Sequence, residues 1–222
     1  MITTKDNART RLLDARKAMP AEAREAADEA TWNALRRLLD TTLPEGATVA
    51  AYRPFGAEPG ARLIPELPER LAERYRVLLP VTLPDNDLDW TELGSELREA
   101  GAALHSWRGM ALTGPRGSEA VAPARGVASI EGAEAVIVPG LAVSEYGIRL
   151  GRGGGCYDRA LARLDRSVPV VALLRDGEFG VAVPAERHDR PVTGVITPSG
   201  GHVALGRPGA SGIGPRQRPA AP

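Results

Sequence analysis

VPGLAVSEYGIRLGRGGGCYDRALARL, residues 138–164, is the stretch on which the reading of this chain turns. An apolar run, Ala135 to Val138, leads into it and predicts a buried strand ending at Pro139-Gly140. A loop follows in which Gly147, Gly151, Gly153, Gly154 and Gly155 are interleaved with Arg149 and Arg152. Tyr157-Asp158-Arg159 then opens a predicted helix whose Leu161 and Leu164 are spaced for burial against a sheet. Strand, glycine-rich loop and helix start together suit an anion. Glycine lets backbone N–H groups approach it closely, and the first turn of a helix favours negative charge. Two arginines add bidentate donors for phosphate. No Gly-Lys-Ser/Thr follows and the spacing is not GxGxxG, so neither standard phosphate fingerprint is present. On residues alone two readings stay open, a phosphate site and a surface loop that uses glycine for its turns.

Working outward, 222 residues suffice for one α/β domain with a well-buried core. The 28 basic and 28 acidic side chains cancel, so no global field argues for nucleic acid. Aromatics at 4% weaken a base-stacking surface further. Cys156 is the single cysteine, which excludes an internal disulfide, and three scattered histidines give no metal-ligand spacing. No apolar run approaches a membrane span, and Met1 begins a polar segment rather than a signal peptide. The expectation is a soluble, cytoplasmic protein without a membrane or nucleic-acid partner.

Residues 3–40 carry helical periodicity. Thr3 or Thr4 can cap a first helix with Ala8, Leu12, Leu13 and Ala15 inward. A second helix, Ala21 to Leu39, carries Ala26, Ala30, Leu35, Leu38 and Leu39 on one side. Thr48 to Tyr52 reads as a strand running into the loop Arg53 to Gly60. A helix over about 62–74, with Leu63, Leu67 and Leu71 inward, precedes a strand at Val77 to Val81. Leu88-Asp89-Trp90 suggests a short strand, and the segment 94–126 has little pattern, with Trp107 and Met110 as candidate ring neighbours or plain packing residues. Val168 to Leu173 and Val192 to Thr197 are apolar enough for covered strands. From Ser199 the glycine- and proline-rich sequence predicts a disordered tail, which leaves a single domain over 1–198. Strands alternating with helices predict a three-layer α/β/α sandwich with a mostly parallel sheet and a ligand crevice at its carboxyl edge.

RLGRGGGCYDR, preceded by VPGLAVSEYG, resembles the signature loop of the 5-formyltetrahydrofolate cyclo-ligase (methenyltetrahydrofolate synthetase) family. Similar blocks recur at Lys5 to Arg9 with Ala18-Met19, at Ala57 to Gly60, at Val183-Pro184 with His188-Asp189, and at Ile196-Thr197-Pro198. The resemblance implies the open sandwich shared with sugar-phosphate isomerases and CoA transferases. It also implies ATP-dependent closure of 5-formyltetrahydrofolate to 5,10-methenyltetrahydrofolate by a monomer, through a phosphorylated formyl group. Carried over by resemblance, Lys5, Arg9, Arg149, Leu150, Gly151, Arg152, Gly153, Gly154, Gly155, Cys156 and Tyr157 hold ATP. Arg149, Arg152 and Tyr157 serve catalysis, and Phe55, Glu58, Gly60 and Tyr157 meet the reduced folate. Asp158 and Asp189 are the implied Mg²⁺ ligands. Without the resemblance, Lys5 and Arg9 are a solvated pair one helical turn apart, Asp158 a helix cap and Asp189 a turn residue. The sequence also departs from the family pattern. Val143-Ser144 replaces Phe-Asp, Gly154 stands where many relatives have lysine or another glycine, and Cys156 replaces the first of two tyrosines. Gly60 and Thr193 each replace an acidic residue. These changes leave room for altered folate affinity, for a paralogue acting on another formyl or carboxyl substrate, or for a non-catalytic nucleotide-binding protein.

Overall fold

Runs rich in valine, isoleucine and alanine are stable as strands only when both faces are covered. The structure, a computed structural model, describes residues 5–93, 125–186 and 189–206, and it covers them so. The strands are β1 (Thr48–Ala50), β2 (Arg76–Thr82), β3 (Leu88–Glu92), β4 (Ala135–Pro139), β5 (Ala142–Val143), β6 (Arg149–Leu150), β7 (Val170–Leu173), β8 (Gly194–Thr197) and β9 (Gly201–Ala204). Seven form one sheet in the order β3-β2-β1-β4-β7-β8-β9, parallel from β2 to β8, with antiparallel strands at both edges. Strands β5 and β6 make a separate antiparallel pair in which Ala142 faces Leu150.

Helices α1 (Lys5–Ala18), α2 (Ala21–Thr42), α3 (Leu67–Leu71) and α4 (Cys156–Leu161) cover the strands. Leu35 and Leu39 of α2 and Leu67 and Leu71 of α3 pack on one face against Val49, Val77, Ile137 and Leu173. Each fully buried leucine contributes about 1.5–3 kcal/mol of transfer free energy. Trp90, Ile130, Ala160 and Leu161 pack with Val136, Val138, Ala172 and Val195 in the second core. Leu12 of α1 packs on Leu141, Ala142 and Leu150, which seats the first helix on the β5–β6 pair. The three layers and mostly parallel sheet agree with the expectation.

Local differences have physical causes. The predicted helix over 62–74 is confined to α3, because Pro65 and Pro68 are compatible only with a first turn. The buried face of α2 runs through Asp28, Thr31, Leu35 and Leu39, leaving Ala26 exposed, since a buried ion pair at Asp28 sets its rotation. The helix after the glycine loop stops at Leu161, and the last apolar strand starts at Gly194. The expected disorder from Ser199 does not hold over residues 199–206, where β9 forms. Ser199 Oγ and N–H bond Asp176, Gly201 turns at φ +62°, and Gly201–Ala204 pairs with β8 through its backbone. Backbone pairing needs no apolar periodicity, so the sequence pattern missed it. Thr3, Thr4, Trp107, Met110, His188 and residues 207–222 lie outside the described residues. No described helix is long and apolar enough to cross a membrane.

Candidate active site

The carboxyl ends of β1, β2 and β4 open on a cavity of about 670 Å³. It is bordered by Tyr52, Arg53 and Phe55 after β1, by Thr82, Leu83, Pro84 and Asn86 after β2, by the glycine loop and by Lys5 and Arg9 of α1. All of the sequence-predicted site residues border it except Gly60.

Gly151 to Gly155 pass along one wall. Gly153 and Gly155 have φ of +114° and +67°, a conformation costing a side chain roughly 1–2 kcal/mol. At Gly151 the reason is space, because an added Cβ would stand 2.9 Å from Arg149 Nη1. Among the described residues, no protein group accepts from the N–H groups of Arg152, Gly153, Gly154 or Gly155. The loop is instead held through its carbonyls. Arg9 Nε donates to Gly151 O at 3.0 Å, and Arg159 Nη1 donates to Gly154 O at 3.2 Å and Asn86 O at 3.0 Å. Helix α4 has only six residues, so its dipole adds little, and loop amides and cations make this wall electropositive.

Arg149 is nearly buried. Its Nη1 donates to Pro139 O at 3.2 Å, and Nη2 lies 3.3 Å from Asp158 Oδ2. Its guanidinium stands 5.5 Å from the Tyr157 ring centre, a cation–π distance, while its Nε has no partner among the described residues. Burial pushes the Tyr157 phenol above its ordinary value, with Arg149 opposing, so the group is a neutral donor. Cys156 begins α4 and packs against the second core, and Leu150 is buried in the third. Asp158 also accepts from Arg190 N–H at 3.1 Å. Asp189 Oδ2 accepts from Glu186 N–H at 2.7 Å and lies 4.0 Å from Lys5 Nζ, which bonds Glu186 at 2.7 Å.

Opposite stands the loop after β1. Glu58 is buried, accepts the Phe55 N–H at 3.1 Å and lies 3.1 Å from Arg152 Nη2. Burial raises its pKa, while the Phe55 amide and the Arg152 charge hold it back. Arg152 lies 4.7 Å over the Phe55 ring, so one arginine links the glycine loop to the opposite wall. Gly60 does not line the cavity. Its N–H donates to Asp28 Oδ1 at 2.8 Å, its φ is +90°, and a Cβ would meet Pro54 Cγ at 3.2 Å.

Behind both walls lies a network the sequence reading missed. Asp28, wholly buried, accepts from Gly60 N–H, from Arg62 N–H at 2.8 Å and from Arg175 Nη1 at 2.5 Å. Arg175 Nη2 donates to Glu58 O at 3.1 Å. Glu178 accepts from the Arg175 N–H at 2.7 Å and grips Arg16 with both oxygens at 2.7 Å. The available signal was charge at helix positions otherwise spaced for the core, Arg16 beside Leu12 and Asp28 between Thr31 and Arg24.

With that geometry in hand, the comparisons agree with one another. A profile described as the 5-formyltetrahydrofolate cyclo-ligase family matches residues 1–198. A 5-formyltetrahydrofolate cyclo-ligase of Mycolicibacterium smegmatis is 37% identical over 207 residues, 91% of this chain and 97% of the relative. The chain belongs to the 5-formyltetrahydrofolate cyclo-ligase family. The Escherichia coli K12 enzyme of the same name matches at 37% over 76 residues, 34% of this chain and 42% of its own. The fold is that of 5,10-methenyltetrahydrofolate synthetase from Mycoplasma pneumoniae, at TM-score 0.66 and 18% identity over 87% of this chain and 98% of the other. The Aquifex aeolicus synthetase gives 0.63 and 21% over 97% and 99%. Family and relatives make this chain an enzyme of the cyclo-ligase type, to which a folate substrate fits.

The family departures have structural settings. Thr193 Oγ1 accepts from Val170 N–H at 2.9 Å and donates to Val170 O at 3.2 Å, stitching β7 to the entry of β8. Ser144 Oγ accepts from Ile148 N–H at 3.1 Å and closes the β5–β6 turn, while Val143 is buried in the second core. Among the described residues no three His, Cys, Asp or Glu side chains gather as a metal site. Asp158 and Asp189 both border the cavity, where Arg149 Nη2 and Lys5 Nζ stand 3.3 Å and 4.0 Å from them, and Mg²⁺ is commonly held by one or two carboxylates together with phosphate and water.

Proposed function

We propose that the cavity performs ATP-dependent cyclisation of 5-formyltetrahydrofolate to 5,10-methenyltetrahydrofolate, releasing ADP and phosphate. An amide-like formyl oxygen leaves poorly. Transfer of the γ-phosphoryl group to that oxygen converts it into a phosphate ester. N10 then attacks the formyl carbon and gives up its proton, and the C–O bond breaks with its electron pair leaving on phosphate. Phosphoryl transfer asks a protein mainly for positioning and charge neutralisation.

In this reading the amides of Arg152 to Gly155, with Lys5, Arg9, Arg149 and Arg152, grip the polyphosphate, and Leu150, Gly151 and Cys156 complete that wall. Tyr157, kept neutral by burial, donates a hydrogen bond toward the reacting groups. Phe55 and Glu58 contact the folate. Asp158 and Asp189 hold Mg²⁺, which when bound supplies charge neutralisation to the phosphates. The supporting observation is the set of loop amides without a protein acceptor beside four cations on one cavity.

The test is direct. Purified protein given 5-formyltetrahydrofolate and MgATP should produce the methenyl chromophore with one ADP per product. ATP binding without turnover, or turnover only with other carboxylic or formyl substrates, refutes the proposal.

A further inference from the structure

The most unusual side chain bordering the cavity outside the assigned set is Arg16. It is 3% exposed, yet it lines the cavity floor beside Tyr52, Gly140 and Glu58. Its Nε and Nη2 take the two Glu178 oxygens at 2.7 Å, and Nη2 also donates to Gly140 O at 2.6 Å. Glu178 and Gly140 engage Nε and Nη2 alone, which leaves the Nη1 donors without a hydrogen-bond partner among the described residues on a side chain that borders the cavity. A buried ion pair rarely gains stability over apolar packing, and burying a guanidinium with donors left over costs more. Such a group is most economically explained by a ligand that uses it.

The neighbourhood says which atoms. Glu58, also buried, is near enough for the Arg16 charge to act on it, as it does on Tyr52. An oriented donor and a buried acceptor on the border of one cavity complement a planar ring edge that alternates acceptor and donor. A reduced pterin presents such an edge, a 4-oxo acceptor followed by N3–H and 2-amino donors. We infer that Arg16 is a specificity residue whose Nη1 donates to the pterin 4-oxo group while Glu58 accepts from the adjacent N–H donors. This rests on the folate reading above. Glu178 and Gly140 hold the Arg16 fork in place, so the donor is oriented before substrate arrives.

Binding of 5-formyltetrahydrofolate and of its 4-amino-4-deoxy analogue, which offers a donor in place of the oxo acceptor, separates the outcomes. The wild-type protein should favour the oxo compound by about 10- to 100-fold, the range of a hydrogen bond to a charged group. Arg16→Met should lower that ratio several-fold, leaving the part that Glu58 draws from the N3–H that the 4-amino compound also lacks, and should leave the nucleotide dissociation constant within about twofold. Arg16→Lys, which keeps the charge but not the fork, should retain only part of the discrimination. Equal binding of the two compounds by wild-type protein overturns the inference without any variant, as does an unchanged ratio in a folded Arg16→Met protein. Failure of wild-type protein to bind 5-formyltetrahydrofolate at all instead removes the folate reading beneath it.

Discussion

Replacing Asp28 with alanine is the sharpest test of how this site is held. Asp28 is wholly buried and accepts two backbone N–H bonds, from Gly60 and Arg62, and one from Arg175. Removing the carboxylate leaves the Arg175 charge buried without its counter-ion and strips the 55–62 loop of its anchor. Breaking one side of a buried pair costs about 3–5 kcal/mol. For a chain of this size each kcal/mol lowers Tm by roughly 2–4 °C, so a fall of about 10 °C is expected. Urea unfolding followed by tryptophan fluorescence measures the free energy directly. Because Arg175 also holds the Glu58 carbonyl, folate affinity should fall further than nucleotide affinity in the fraction that remains folded. Replacing both partners with apolar residues, Asp28→Leu with Arg175→Met, should recover much of the loss, since the penalty lies in the stranded charge. A single-variant loss under about 1 kcal/mol, or a double variant no better than the single, would refute the argument.

Other outcomes follow from the same geometry. Asp158→Ala should reduce turnover at least about 100-fold, and wild-type rates in that variant would remove Asp158 from the metal and Arg149 roles together. Gly147→Ala should destabilise the fold by roughly 2 kcal/mol or more in thermal denaturation, because φ is +81° and the new Cβ would meet Val192 O at 2.5 Å. Burial raises the Glu58 pKa, so the native state holds that proton more tightly than the unfolded chain does. The Glu58 contribution to stability therefore falls as pH rises from the ordinary carboxylate value through its raised one. Glu58→Gln should gain on wild type over that window, and urea titrations in which the gap narrows instead would contradict it. Lys5→Ala and Arg9→Ala should each weaken nucleotide binding about tenfold in calorimetry, with the effect smaller at high salt.

Much of the molecule is legible in the sequence because short-range physics dictates it. Valine- and isoleucine-rich runs place β4, β7 and β8 in a covered sheet, and leucine spacing marks α2 and the inward side of α3. Glycines between Arg149 and Tyr157 announce a backbone meant to approach something. Other features depend on partners far along the chain. Strand β9 exists through its pairing with β8, and no apolar pattern of its own foretells it. Gly60 takes positive φ, and its amide belongs to Asp28 on α2, thirty-two residues earlier. Arg16 and Asp28 stand at helix positions spaced for the core, but nothing near them in sequence supplies the partners, Glu178 and Arg175, that meet them in the interior from over a hundred residues later. Periodicity reports which side of an element faces inward, but a buried charge is decided by the counter-charge that tertiary packing delivers to it. The sequence alone therefore determined the layers and the glycine wall, while folding decided which charges stand dry around the cavity and what each can bind.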